Sequence, residues 1–229
     1  MKKSHVFGGL LALMFSFVSC TCNISIHCNC TKDIKENKHE AVDLGLSVKW
    51  ATLNVGAKSP GEIGTYFTWG ETRIRANRNY SWDTYKWGKE NKITKYCTNS
   101  ENGKVDNRTT LNKEDDVASV AWGGKWRMPT NKELEELIYE CIWEWKIVEN
   151  QPGYKVIGPN GNSIFLPAGG AKKLDKTLEF EKVGDYWANG LFKDDSNSAY
   201  RLYFHRGKMT LDYAGPRYWG MSVRPVCDL

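Results

Sequence analysis

The clearest helical spacing in the chain is Leu134, Leu137, Ile138 and Cys141, at i, i+3, i+4 and i+7, one apolar face of a helix of about three turns. Thr130 stands three residues ahead of Glu133. Its hydroxyl can accept from the Glu133 N–H while the carboxylate reaches back to the Thr130 N–H, a capping box that starts the helix. Elsewhere the pattern has period two. Ser47 to Val55, Thr65 to Trp69 and Trp143 to Ile147 alternate as half-buried strands do. Tyr154 to Ile157 and Ser163 to Leu166 flank Pro159-Asn160-Gly161-Asn162, a hairpin signal. Ala199 to His205, Lys208 to Tyr213 and Gly220 to Val226 read as three closing strands, the first two joined over Arg206-Gly207. Residues 73–119 are polar and poorly periodic and are expected to be loops with little regular structure. The pattern predicts an α+β domain: a twisted antiparallel sheet, one main helix and long loop insertions.

Ahead of this domain, Lys2 and Lys3 precede an apolar run from Val6 to Leu13, extended through Met14, Phe15, Phe17 and Val18, with Ser19-Cys20 behind it. A charged start, a short apolar stretch and a small residue are the layout of a secretory signal. The run is shorter than the roughly 20 apolar residues that span a bilayer. A cysteine directly after Ser19 points to a lipoprotein signal over residues 1–19, with Cys20 lipidated and the domain held in the cell envelope. Residues 20–38 are polar and poor in large apolar groups and read as a solvated tether, leaving 39–229 as the domain.

Charge changes the picture little. Loss of Lys2 and Lys3 takes the 32 basic residues to 30 against 27 acidic ones, a mild excess without a basic block. Nucleic-acid binding calls for clustered charge and is not expected. Aromatics are 13% of residues, with 10 Trp, enough to fill one core and supply exposed platforms besides. Besides Cys20 there are Cys22, Cys28, Cys30, Cys97, Cys141 and Cys227. Export favours disulfides, and six cysteines leave the pairing open. Cys97 with Cys141 is the candidate pair inside the domain, and the three early cysteines read as tether residues.

Several segments carry a family likeness. They are His39-Glu40-Ala41-Val42-Asp43-Leu44-Gly45-Leu46-Ser47-Val48-Lys49-Trp50-Ala51-Thr52, Trp126-Arg127-Met128-Pro129-Thr130-Asn131-Lys132-Glu133-Leu134, Gly158 to Ala168, and Ser222-Val223-Arg224-Pro225-Val226. Together they resemble the secreted bacterial domains of the Fibrobacter major paralogous family, relatives of the formylglycine-generating-enzyme fold and so of the C-type-lectin-like fold. The resemblance covers nearly all of residues 39–229. It implies a lectin-like domain and leaves activity open. Those formylglycine-making relatives use a close pair of late cysteines, and the C-terminal half here holds only Cys141 and Cys227, so that oxidase activity does not carry over. His5, His27, His39 and His205 have no metal-ligand spacing. Neither Gly-x-Ser-x-Gly nor His-Glu-x-x-His occurs. The chain is expected not to be an enzyme, with no cofactor apart from a possible Ca²⁺.

That ion would fall on Asp106, Glu114, Asp115 and Asp116, since Ca²⁺ takes six to eight oxygens. The alternative is that Asp115 and Asp116 cap a short helix through Val117-Ala118-Ser119. Arg127 and Arg224 either face a ligand or lock sheet ends by bonding carboxylates and carbonyls; the second is expected. Ligand contacts are expected between Tyr186 and Trp219, at Trp187, Asn189, Arg201, Tyr203, His205, Arg206, Tyr213, Arg217 and Tyr218. Aromatic rings with arginine and asparagine are the composition of adaptable binding surfaces, and the resemblance places a lectin-like ligand face there. Period two puts Tyr200, Leu202 and Phe204 on one face, and Arg201, Tyr203 and His205 on the other. The favoured expectation is a lipid-anchored envelope module that binds a glycan or a protein. The alternative is an assembly subunit of a surface appendage whose domains pack on like domains through an exposed strand edge.

Overall fold

The computed structural model describes residues 39–74, 79–211 and 214–229. The expected signal segment, Cys20 and the tether lie outside the described residues, as does Tyr213. No described helix is long and apolar enough to cross a membrane.

The domain opens with β1 (Ala41–Asp43) and β2 (Val48–Ala51). A long loop region follows, carrying the two-residue strands β3 (Gly88–Lys89) and β4 (Lys92–Ile93) and two single 3₁₀ turns. Then come α1 (Val117–Trp122) and α2 (Asn131–Glu140). The second half is nearly all strand: β5 (Ile142–Val148), β6 (Gln151–Ile157), β7 (Ser163–Pro167), β8 (Ala171–Lys173), β9 (Lys176–Leu178), β10 (Val183–Leu191), β11 (Ser198–His205), β12 (Lys208–Thr210), β13 (Ala214–Pro216) and β14 (Val226–Asp228). All strand pairs are antiparallel, which makes this an α+β arrangement rich in antiparallel sheet. β2 lies between β1 and β14, so the first and last strands share one sheet on either side of β2. β5-β6-β7 is a meander, and β11 pairs with β10, β12 and β13.

Local signals act as their chemistry requires. Thr130 and Glu133 form the capping box of α2, with Thr130 N donating to Glu133 Oε2 at 2.7 Å. Arg127 grips the same carboxylate through both terminal nitrogens at 2.9 and 2.6 Å and also reaches Asp228 at 3.1 Å. The start of α2 is thus tied to the C-terminal strand β14. Arg224, fully buried, donates to Asn54 Oδ1 and to the carbonyls of Ala51, Thr52 and Phe165. Both are structural arginines.

Two core clusters flank the β10–β11 layer. Leu134 and Leu137 of α2, Tyr154 and Leu166 of the meander, and Tyr186, Leu202 and Phe204 make one. Phe67, Trp69, Tyr96, Met128, Trp187, Leu191 and Val223 make the other. β10 is therefore buried on both faces, and the alternation that reveals half-buried strands is missing from Val183 to Leu191. Gly184 belongs to this packing: a Cβ there would fall inside the Phe204 ring.

Some expected strands shrink. Thr65 to Trp69 keeps only a bridge from Phe67 to Met221, and Gly220 to Ser222 contribute bridges until β14 begins at Val226. The Cys97–Cys141 disulfide is not formed; both thiols are free. Cys97 is buried in a loop gathered around Asp106 and donates to Asn99 O at 3.1 Å. Cys141 packs against the first core at the end of α2.

Candidate functional site

The face of β11 carrying Arg201, Tyr203 and His205 lies over the β10 residues Trp187, Asp185 and Val183 respectively. Along this face the environment changes. At Trp187 it is dry: the indole is fully buried and donates to Phe67 O at 2.8 Å. Two residues on it opens into a cleft of about 450 Å³ lined by Asp185, Arg201, Tyr203, His205 and Lys208, its lining completed by Ala171, Leu178 and Glu179 of the β8–β9 hairpin and its exit and by Trp219.

The Asp185–Arg201 ion pair marks the boundary. Asp185 is almost wholly enclosed, and the Arg201 side chain is 12% exposed. Burial pushes the Asp185 carboxyl up to about 6, with Glu179 adding to the rise, while Arg201 opposes both. The guanidinium lies 5.1 Å from the Tyr203 ring centre and 5.8 Å from that of Trp219, within the range of cation–π attraction. Contact is end-on through one terminal nitrogen, and Nε is buried without a hydrogen-bond partner. Beyond the pair, Tyr203 and His205 are half-buried, with rings edge-to-face at 6.0 Å. The cleft thus offers aromatic walls, two carboxylates and cationic groups within one small volume.

Of the expected contacts, Arg201, Tyr203 and His205 are brought together. Arg206 is exposed on the turn to β12 and does not line the cleft. Asn189 lies toward the far end of β10, where its backbone bonds Pro129 and Leu111. Tyr218 is half-buried with its ring 4.9 Å from that of Trp82. Trp187 and Arg217 require correction, because both are core residues. Arg217 is fully buried, and its nitrogens donate to Tyr85 Oη and to the carbonyls of Tyr96, Ser196 and Lys95 at 2.9–3.0 Å. It stands over the Trp69 ring at 4.8 Å and ties the loop region to the strand layer.

The acidic residues likewise do not form the expected Ca²⁺ site. Asp106 accepts from the backbone of Tyr96, Cys97 and Arg108. Asp115 accepts from Lys86, Lys95 and the Tyr96 hydroxyl. Asp116 caps α1 through Ser119 N and also accepts from Met128 N, while Glu114 is exposed and bonded to Asn112. Each carboxylate is occupied by its own protein donors, and no group of three or more His, Cys, Asp or Glu among the described residues is arranged to hold a metal.

Sequence reasoning missed Asp185, Glu179, Leu178, Ala171 and Lys208. Asp185 was findable in principle, as a lone acid inside an apolar aromatic segment, Val183-Gly184-Asp185-Tyr186-Trp187. The wall from β8 and β9 has no local signal, since its place depends on long-range packing. Comparison of the chain with protein-family models, with characterised proteins and with solved structures finds no match.

Proposed function

We propose that this domain is a binding module that takes a sugar unit of a glycan in the cleft between β10–β11 and the β8–β9 wall. The observation that carries the reading is the lining itself: Tyr203 and Trp219 rings beside Asp185, Glu179, His205 and Lys208. A pyranose presents an apolar C–H face to an aromatic ring and a rim of hydroxyls to carboxylates and imidazole, so it uses both parts of such a lining. The charges of Asp185 and Glu179 are balanced by Arg201 and Lys208, which suits a neutral sugar better than a strongly charged ligand.

The family resemblance of residues 39–229 supports the same reading, since a C-type-lectin-like domain with its ligand face in the last strands places binding where this cleft lies. The signal-like residues 1–19 support display in the cell envelope, anchored by lipid on Cys20. A glycan array followed by calorimetry tests the reading. Tyr203→Ala should weaken binding roughly 30-fold, the equivalent of about 2 kcal/mol for a central aromatic contact, and Glu179→Gln should weaken it with little change in melting temperature. A glycan array without saturable binding, or binding that both variants leave intact, overturns it; capture of an envelope protein through the same residues would make the ligand a protein.

A further inference from the structure

The strand β5 has β6 on one side and, among the described residues, no strand on the other. Its outward backbone groups can be assigned. β5 and β6 are joined by Glu149-Asn150, both left-handed at φ 51° and 65°, a two-residue turn in which Val148 and Gln151 form the hydrogen-bonded pair. Bonded pairs then recur at alternate positions, so Lys146, Glu144 and Ile142 point their backbone groups at β6. The Ala168 N–H donates to Pro152 O, which confirms the phase: even positions of β6 face away from β5. The N–H and C=O of Trp143, Trp145 and Ile147 consequently point outward, and no hydrogen bond among the described residues reaches them.

An open edge of this length is a template for another strand, and its side chains specify which. The strand reads Ile-Trp-Glu-Trp-Lys-Ile-Val, with Glu144 and Lys146 symmetric about Trp145. An antiparallel copy centred on Trp145 sets Glu144 opposite Lys146 twice over, in non-hydrogen-bonded pairs where side chains approach most closely. The same register sets Trp143 opposite Ile147 and Ile142 opposite Val148. Ile142 and Ile147 are 65% and 71% exposed, so pairing covers apolar surface now in water. The two neighbouring registers that keep the backbone phase set Glu144 against Glu144 or Lys146 against Lys146, and like charges directly opposite are destabilising. Charges on an edge ordinarily block pairing; these block every nearby register except one. Glu144 and Lys146 are 43% and 53% exposed and lie 3.3 Å apart, free to exchange partners with a second copy.

We propose that the chain self-associates as a two-fold dimer by antiparallel β5–β5 pairing centred on Trp145, joining two three-stranded meanders into one six-stranded sheet. The surface is separate from the cleft, so either can fail alone. Sedimentation velocity of the full chain should show a concentration-dependent dimer. Glu144→Lys and Lys146→Glu, each alone, should weaken self-association by about tenfold or more. An equimolar mixture of the two single variants should form a heterodimer, and the E144K/K146E double variant should recover the homodimer. Hydrogen exchange on the unaltered protein gives a second readout: the Trp143, Trp145 and Ile147 amides should gain protection as concentration rises. A chain that stays monomeric, association unaffected by either single swap, or failure of the mixed variants to pair overturns the proposal.

Discussion

Arg201→Met should cost little stability in mild acid and much more above neutrality, because the substitution leaves Asp185 enclosed without its counter-charge. The Asp185 carboxyl is 5% exposed and already sits at about 6 with Arg201 in place. Since the folded value lies above that of the unfolded chain, its contribution to stability is complete below about pH 4 and is lost as pH rises through about 6. Removing the guanidinium raises the folded value further. The wild-type carboxyl then ionises above about pH 6 while the variant's stays protonated, and the gap grows by about 1.4 kcal/mol per pH unit. By about pH 7.5 this term alone reaches about 2 kcal/mol. Lost stacking of the guanidinium near Tyr203 and Trp219, at 5.1 and 5.8 Å, adds about 1 kcal/mol at every pH. The expected gap is therefore about 1 kcal/mol near pH 5 and about 3 kcal/mol near pH 7.5, the latter at the low end for breaking a buried pair.

Urea unfolding followed by tryptophan fluorescence, run at both pH values for the wild type and the variant, measures this gap. Asp116 and Glu133 also have shifted carboxyls, but they are common to both proteins and cancel in the difference. The double variant Asp185→Asn with Arg201→Met removes the titrating group, so it should lose less than the single variant near pH 7.5. An end-on pair with an unpartnered Nε returns little of the desolvation it costs. A gap of the same size at both pH values would refute the reasoning.

Two further outcomes follow from the packing. Arg217→Met should lower stability by about 3–5 kcal/mol in urea titration, because it strands the carbonyls of Lys95, Tyr96 and Ser196; a loss below about 1 kcal/mol would return Arg217 to the surface. Gly184→Ala should cost about 3 kcal/mol by displacing the Phe204 ring, and a melting temperature equal to wild type would show that the ring has room to move.

What could be read from the sequence was what neighbours in the chain decide. Thr130 and Glu133 specify a helix start without help from elsewhere, and they form it. The two faces of β11 follow from period two, with Leu202 and Phe204 in the core and Tyr203 and His205 at the cleft. β10 could not be read because it is covered on both faces, which erases alternation, and because Gly184 is there for Phe204, twenty residues later in the chain. Glu149-Asn150 makes a two-residue hairpin turn without the Asn-Gly pair that usually announces one. Trp187 and Arg217 were misplaced for one shared reason. Composition marks a segment as suited to binding, but burial is decided by the segment that lands on it. The loop bearing Tyr85, Lys95 and Tyr96 closes over Arg217, and Phe67 closes over Trp187.

The position of the Asp185–Arg201 pair explains why the cleft stops where it does. Trp187 and Arg201 are cross-strand partners, as are Asp185 and Tyr203, so the ion pair runs diagonally between the last core position of this face and the first open one. Asp185 also accepts at its backbone carbonyl from Ser222 N, at 3.2 Å, which fixes β10 from the side opposite β11. A slip of β11 by one residue would carry Arg201 to the other face and leave Asp185 enclosed and unpaired, a cost of several kcal/mol. The pair therefore discriminates against the wrong register more than it adds to stability. Holding register is also what keeps Tyr203 and His205 facing the β8–β9 wall, so the residue that limits the cleft is the one that keeps its two walls in line.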